Sequence, residues 1–401
     1  MNDKKLTPQE RKRRRQLLLR KRTSKIYTKV AIVFLSCLLL AGAANLLHKD
    51  RDYSETENRM LAQKAEFSVK NLASGEYMTD MEAYITDQFV GRDSWIRMKT
   101  AVDRLIGKRE SNGVYIGSQD HLMEIPEKPD MQMVDKNLAA IKGLAGRYKE
   151  INTVMALVPN AAYICGQFLP SHAPVRDQSA DITYVKETLG DSLTYVDLTE
   201  TMASHKTEEL YYKTDHHWTS LAARYAFETL SGTLGIADPV SEYTVYPVTH
   251  EFQGTLSSKT GYNKAEDTIE IYIPQSDNSE YVVNYVEEGK KSATIYDSSA
   301  LEQKDKYEVF FGGNHSRIDI RTLLNDKKNL LVFKDSYANC FLQFLIPYYR
   351  NIIIIDPRYY YEDVDRLITD NEITDILFLY NVNTFMGDTS LADVLASEQE
   401  G

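Results

Sequence analysis

Four segments of this chain are apolar at every position over the length of a strand: Val154 to Val158, Leu330 to Phe333, Ile352 to Ile355 and Ile376 to Tyr380. A strand with one wet face alternates apolar and polar residues, so runs of this kind belong to strands covered on both faces. Helical patterns come between the strands. Leu138, Ile141, Leu144 and Tyr148 recur at helical spacing over 135–148, ahead of the first run, and Ile182, Val185 and Leu189 do so over 179–189, ahead of a strand from Thr194 to Leu198. Such alternation implies right-handed crossovers and an α/β architecture with a parallel sheet. Gly113 to Gly117 (GVYIG) reads as a short strand before it. Between about 240 and 325 the character changes: Tyr243 to Tyr246, Ile269 to Ile273, Tyr281 to Tyr285 and Tyr307 to Phe311 are β-branched and aromatic and read as hairpins of a β-rich insertion. No repeat of fixed period occurs, which excludes solenoids and propellers.

Charge is distributed unevenly along the chain. Residues 1–29 hold 12 Lys/Arg against 2 Asp/Glu, whereas the remainder holds 35 against 56. A body so acidic repels phosphate backbones, so nucleic acid is excluded as a partner. The basic arm leads instead into Val30 to Leu47, 18 residues without a charge. As a helix this run reaches roughly 27 Å, enough for the hydrocarbon core of a bilayer. The cations ahead of it hold the N-terminus in the cytoplasm and send the rest outward. Ala41-Gly42-Ala43 resembles a signal-peptidase site, so cleavage after the run is the alternative to a retained anchor. Either way the body lies outside the cytoplasm.

The expected organisation is a cytoplasmic arm over 1–29, a transmembrane signal-anchor over 30–47, a polar stalk over 48–70 and an extracytoplasmic domain over 71–401. Two amphipathic helices open that domain, one carrying Tyr77, Met81, Tyr84, Ile85 and Phe89, the next Trp95, Met98, Val102 and Leu105, with Asp93 as N-cap of the second. Helices of this kind ordinarily cover a core. Of three cysteines, Cys37 falls in the apolar run, and Cys165 and Cys340 are too few for a disulfide framework; both are expected as free, buried thiols.

The densest cluster of chemically active side chains is Tyr211-Tyr212-Lys213-Thr214-Asp215-His216-His217-Trp218-Thr219, followed by a helical pattern (Leu221, Tyr225, Phe227, Leu230) for which Thr219 is the cap. On an extended or turning backbone, residues two apart project to one side, so Asp215 and His217 face one target while His216 points elsewhere. A carboxylate beside one imidazole nitrogen fixes the tautomer and frees the other nitrogen to take a proton. Two other readings stand beside this one: a metal site of Asp215, His216 and His217, awkward because adjacent side chains diverge, and a purely structural loop. The partner for a base is offered by Leu330 to Asn339 (LLVFKDSYAN), where a strand runs through Lys334-Asp335-Ser336 into a helix from Tyr337 to Ile346, stopped by Pro347. A serine there lies at the carboxyl end of a sheet strand, where backbone N–H groups are available to an oxyanion. The plain alternative is an N-cap.

In the context YYKTDHHWT, the tetrad Asp215-His216-His217-Trp218 resembles the motif for which the DHHW proteins are named, and these are similar to the SGNH-like domains of alginate O-acetylation. Ser54 to Arg59 (SETENR), Gly91-Arg92-Asp93 and Asn112 to Gly117 fit the same pattern, so the likeness runs from about 51 to 385. It implies an SGNH-like, flavodoxin-like three-layer sandwich with a parallel sheet, in which Asp-x-His precedes the serine as it does in the alginate proteins. By that resemblance Ser336 is the nucleophile, His217 the general base and acid, and Asp215 its orienting partner. The Ser336 N–H and an asparagine amide are the expected oxyanion donors: Asn314 after the glycine pair Gly312-Gly313, with Asn160 and Asn381, each following a strand, as rivals. Arg358 is placed to meet an acyl oxygen or an acidic sugar, or to form an ion pair. His216 is assigned either to a substrate hydroxyl or to packing, and Trp218 either to a sugar face or to the core.

Together these readings predict an extracytoplasmic O-acetyltransferase of a cell-surface polysaccharide, needing no cofactor or metal. The resemblance adds a membrane-bound O-acyltransferase as the partner that delivers acyl groups. An esterase using the same three residues and a non-catalytic scaffold are the alternatives.

Overall fold

The computed structural model describes residues 8–54, 59–275, 280–325 and 327–396. Two compact units emerge, one of residues up to 95 and one from 96 onward. In the first, helix α1 (Pro8–Leu47) takes in most of the basic arm and the whole apolar run. Among the described residues it is the one helix long and apolar enough to cross a membrane. Tyr53–Ser54 pairs antiparallel with Arg59–Met60; the four residues between, which complete the SETENR segment, lie outside the described residues. Helix α2 (Glu76–Asp87) follows, and α3 (Arg92–Leu105) carries the chain into the second unit. Two expectations fail here. Asp93 lies in the first turn of α3 instead of capping it, because the helix already begins at Arg92 after Gly91 turns the chain at φ 70°. The apolar faces do not cover a core either, since Ile85, Trp95, Met98, Val102 and Leu105 are exposed.

The second unit is built on an eight-stranded sheet. In chain order its strands are β1 (Asn152–Val158), β2 (Thr194–Asp197), β3 (Tyr281–Tyr285), β4 (Lys290–Ser292), β5 (Arg317–Thr322), β6 (Asn329–Lys334), β7 (Asn351–Ile355) and β8 (Asp375–Asn381). Their spatial order is β4-β3-β5-β7-β6-β8-β1-β2. From β7 through β2 the pairings are parallel; β5, β3 and β4 extend the sheet antiparallel. The four apolar runs are thus the central strands. Their alternate side chains enter two different cores: Val154, Ala156, Leu330, Val332, Ile352 and Leu377 one, Met155, Leu157, Leu331, Phe333, Ile353 and Phe378 the other. Helix α4 (Met131–Arg147) and helix α5 (Ser179–Leu189) close the second core with Leu138, Ile141, Val185 and Leu189; helix α6 (Ser220–Ser231) closes the first with Ala223, Phe227 and Leu230. Cys165 and Cys340 are buried free thiols.

The β-rich stretch divides in two. Tyr243–Phe252 and Asp267–Pro274 form a separate hairpin, whereas β3, β4 and β5 join the main sheet. Strand β5 was not foreseen, although Ile318, Ile320 and Thr322 alternate inward with Arg317, Asp319 and Arg321. Tyr307 to Phe311, expected as a strand, is instead a 3₁₀ turn over Lys306–Val309, and positive φ at Phe311, Gly312 and Gly313 turns the chain again just after it. The helix expected after Ser336 is also shorter: one α-turn at Ala338–Phe341 passes into 3₁₀ turns, and Pro347 lies inside the last of them. The Gln343 side chain donates to the Cys340 carbonyl, the acceptor that a continuing α-helix would have used.

Candidate active site

All five parallel strands end at one edge of the sheet, and their carboxyl ends present Asn160, Ser336, Asp356, Arg358 and Asn381. Crevices at this edge are the usual ligand sites of open α/β sheets. Ser336 lies two residues beyond the end of β6 and is half-buried. Its neighbour Asp335 is buried and fixes the turn: Oδ1 accepts from Tyr337 N (3.0 Å) and Oδ2 from Asn381 N (2.9 Å), tying the end of β6 to the end of β8. Among the described residues nothing accepts from the Ser336 N–H, which is therefore available to an oxyanion.

The histidine loop reaches the same edge from the segment before α6. It is closed at its base by the Tyr211–Trp218 bridge and by Tyr212 N to His217 O (3.2 Å). Asp267 holds the middle, accepting from Lys213 N and Thr214 N (both 2.8 Å) and from Thr214 Oγ1 (2.6 Å). Thr219 caps α6 through Ala222 N, as its position predicts. The Trp218 indole donates to the Tyr337 carbonyl (2.7 Å) and Tyr337 Oη donates to the His216 carbonyl, so the loop and the serine turn are locked to each other.

Asp215, His217 and Ser336 meet. His217 Nδ1 donates to Asp215 Oδ1 (2.6 Å), and His217 Nε2 accepts from Ser336 Oγ at 2.8 Å. Asp215 also accepts from His217 N (3.0 Å) and, through Oδ2, from Thr255 N (2.7 Å). Gly254 packs so tightly against this carboxylate that an added Cβ would overlap it. Burial opposes the charged carboxylate, yet the imidazoles of His216 and His217 outweigh it and hold Asp215 well below the usual range. For His217, burial first and the field of His216 second push the imidazole down to about 4, against the pull of Asp215. His217 is accordingly neutral at pH 7, the form that accepts a proton from a hydroxyl.

His216 departs from expectation. It does not turn away but lies over His217, ring centroids 3.9 Å apart, with Nδ1 3.5 Å from Asp215 Oδ1. Burial lowers its basicity, but Asp215 and Glu124 more than offset this and raise it. Ligand atoms of Asp215, His216 and His217 fall within 4.8 Å of one another. Both nitrogens of His217, however, are engaged by Ser336 and Asp215, which leaves this trio short of the donors a metal needs. Trp218 is fully buried in the first core, so the sugar-stacking option for it is corrected: no ligand reaches its face.

The other expected residues bind the scaffold. Asn314 Oδ1 accepts from Lys334 Nζ (3.0 Å) and Asn339 Nδ2 (3.3 Å). Asn160 Nδ2 donates to Asn381 Oδ1 (3.1 Å) and Asn381 Nδ2 to Val158 O (3.1 Å), joining β1 to β8. Arg358 forks onto the buried Asp356 through Nε (2.8 Å) and Nη2 (2.6 Å), the ion-pair option, with Lys334 on the same carboxylate at 3.5 Å. Among the participants that escaped the sequence reading are Gly254, Glu124 and Tyr307. Tyr307 stacks on His217 and donates its hydroxyl to the Ser336 carbonyl (3.1 Å). Only the density of tyrosines around 307 hinted at it.

A family model described as DHHW protein matches residues 130–355, more than half of the chain. The chain belongs to the DHHW protein family. Two solved structures share its fold, and a third is more distant. A DHHW family protein from Eubacterium siraeum superposes with a TM-score of 0.61 at 24% identity, covering 71% of this chain and 95% of that one. Bacillus cereus PatB1 carrying a sulfonyl adduct gives 0.59 at 21%, covering 69% and 96%. The O-acetyltransferase domain of Pseudomonas putida AlgJ gives 0.45 at 16%, covering 71% and 98%. No curated protein matches this DHHW chain.

Proposed function

We propose that this DHHW protein is an extracytoplasmic O-acetyltransferase that moves acetyl groups onto hydroxyls of a cell-surface polysaccharide, with Ser336 as nucleophile, His217 as general base and acid, and Asp215 as the residue orienting it. The observation that carries this reading is the unbroken line of hydrogen bonds from Ser336 Oγ through His217 to Asp215, at 2.8 and 2.6 Å. In the first half-reaction Ser336 Oγ bonds to the acyl carbon as its proton passes to His217 Nε2. The donor's leaving group then departs with that proton. In the second, His217 takes the proton of a sugar hydroxyl, the sugar oxygen bonds to the acyl carbon, the bond from that carbon to Ser336 Oγ breaks, and His217 returns the proton to Oγ. Asp215 stabilises the imidazolium in both, and the free Ser336 N–H meets the developing oxyanion.

Helix α1 supports a single-pass anchor over 30–47, with the arm 1–29 in the cytoplasm and the stalk 48–70 and body 71–401 outside. Helices on both faces of the sheet support the SGNH-like three-layer sandwich. An outward enzyme needs its acyl groups delivered through the membrane, the role of a membrane-bound O-acyltransferase partner. No residue is assigned to a metal or cofactor.

The test is the full-length protein with an activated acetyl ester, with and without oligosaccharide, followed by mass spectrometry of protein and products. Acetyl on Ser336 and on sugar supports transfer; acetate alone under every condition supports hydrolysis. A sulfonyl fluoride should label Ser336 and no other serine. Ser336→Ala, His217→Ala and the double variant should be about equally damaged, because such residues act as a unit. A double variant far worse than either single one defeats the reading.

A further inference from the structure

A cleft of about 600 Å³ opens between the loop after residue 124, the start of α4 and the segment after β8. Its size suits a small ligand or a few links of a chain. It is connected to the serine turn by direct contacts. Glu124 Oε2 accepts from Asn383 Nδ2 (3.4 Å), Asn383 N donates to Asn381 Oδ1 (2.9 Å), and Asn381 N donates to Asp335 beside Ser336 (2.9 Å). Glu124 also contributes to the field that raises His216. Glu124 and Asn383 in the cleft's lining are thus tied to the buried residues that hold the Ser336 turn.

Its chemistry is specific. Glu124 pairs with Lys259 at 3.2 Å, and Asn383 stands beside them, giving carboxylate, ammonium and amide groups at one spot. A sugar hydroxyl both donates and accepts, and such a mixed set satisfies it in either sense. Pro126, Met133 and Met386 supply an aliphatic surface for the C–H face of a ring. Four carboxylates line the cleft against three cations; with Lys259 paired to Glu124 and Arg176 to Asp181, Glu127 and Asp130 remain against Lys128. A polyanion brought here would meet a like-charged wall in a body that is acidic overall.

We infer that this cleft is the acceptor subsite and that it takes an uncharged, polyhydroxylated glycan chain, excluding polyuronates and phosphate-linked polymers. The inference rests on the acyl-transfer reading of Ser336 but is testable apart from it. Calorimetric titration of the full-length Ser336→Ala protein, which needs no chemistry, should detect neutral hexose or N-acetylhexosamine oligomers. Oligouronates of equal length should bind at least about tenfold more weakly, equivalent to one decade in Kd. Met133→Trp, which fills the cleft, should weaken the neutral oligomers about tenfold. Glu124→Gln, which removes a charge at nearly constant size, should narrow the preference over oligouronates. In the Ser336-containing protein charged with acetyl ester, Met133→Trp should lower the ratio of acetyl passed to sugar over acetyl passed to water. That ratio is set after the acyl-enzyme forms, so a fault in its formation does not move it. Tighter binding of oligouronates, or neutral binding and partition both indifferent to Met133→Trp, overturns the subsite. Absence of acetyl on Ser336, with glycan binding intact, overturns the acyl-transfer reading and leaves the cleft as a glycan site.

Discussion

The Tyr307 ring lies flat on the His217 imidazole, centroids 3.9 Å apart and 13° from parallel, while its hydroxyl donates to the Ser336 carbonyl at 3.1 Å. One buried side chain therefore sets both the plane of the imidazole and the height of the serine turn. Tyr307→Phe keeps the stack and removes the hydrogen bond, leaving the Ser336 carbonyl with Asn339 N (3.2 Å) as its other donor, at a cost of about 1 kcal/mol or slightly more. If that cost falls on the reactive geometry, kcat for ester turnover drops about tenfold with KM less affected. Tyr307→Leu removes the stack as well and should fall further. Steady-state kinetics on the two variants separate the contributions, and equal activities would show that the hydroxyl alone matters.

The pH dependence of the proposed reaction follows from the two imidazoles. Turnover requires neutral His217, which burial and His216 hold down to about 4. The acid limb of kcat/KM should therefore lie near pH 4, well below the ordinary imidazole value of about 6.5. His216→Asn removes the neighbouring cation, so protonated His217 becomes less unfavourable and the limb should move upward. The profile of kcat/KM against pH for both proteins checks the sign; a limb that stays or moves down refutes the electrostatic coupling.

What was legible in the sequence is what rests on periodicity and chemistry near in the chain. Runs such as Ile352 to Ile355 announce central strands because no wet face interrupts them, and helix α5 matches its predicted limits of 179 and 189. Asp215 and His217 were legible as a pair, since the two-residue spacing of a bent loop brings their side chains together. Their meeting with Ser336 depends on a sheet edge assembled from distant strands and was drawn from the family resemblance and the demands of the chemistry. Tyr307, Gly254 and Glu124 were not legible: each acts through a contact made only in three dimensions. The exposed apolar faces of Trp95, Met98 and Val102 show the limit of periodicity, which predicts a face but not what lies against it.

Gly254 provides a steric test of the role proposed for the Asp215 carboxylate. Its backbone lies at φ −83°, open to any residue, so a substitution there acts through space and not through strain. A Cβ at 254 overlaps Asp215, so the carboxylate or the 254 backbone has to shift and the carboxylate's bond to His217 Nδ1 is disturbed. Misplacement of about 1 Å in such a constellation costs about 100-fold. Gly254→Ala should therefore lose ester turnover to about that degree. Overpacking should also cost about 1–3 kcal/mol of stability, measurable as a fall in denaturation midpoint. Full activity in the alanine variant would mean that Asp215 is not needed where it stands.

The last letter of the family motif has a structural account that separates stability from chemistry. Trp218 is fully buried and its indole N–H donates to the Tyr337 carbonyl at 2.7 Å, pinning the residue after Ser336 to the residue after His217. Trp218→Phe retains most of the apolar volume but removes the indole donor, leaving the Tyr337 carbonyl with the first bond of the Ala338–Phe341 turn that it caps and a weak contact from Cys340 Sγ at 3.7 Å. Loss of the bond and of ring volume together should cost about 1–3 kcal/mol. Because the tie also sets the separation of Ser336 and His217, kcat should fall alongside the denaturation midpoint, with KM for a small ester nearly unchanged. A variant destabilised by this amount yet fully active under folded conditions would assign Trp218 to the core alone and leave Tyr307 and Tyr337 as the elements that keep the two segments in register.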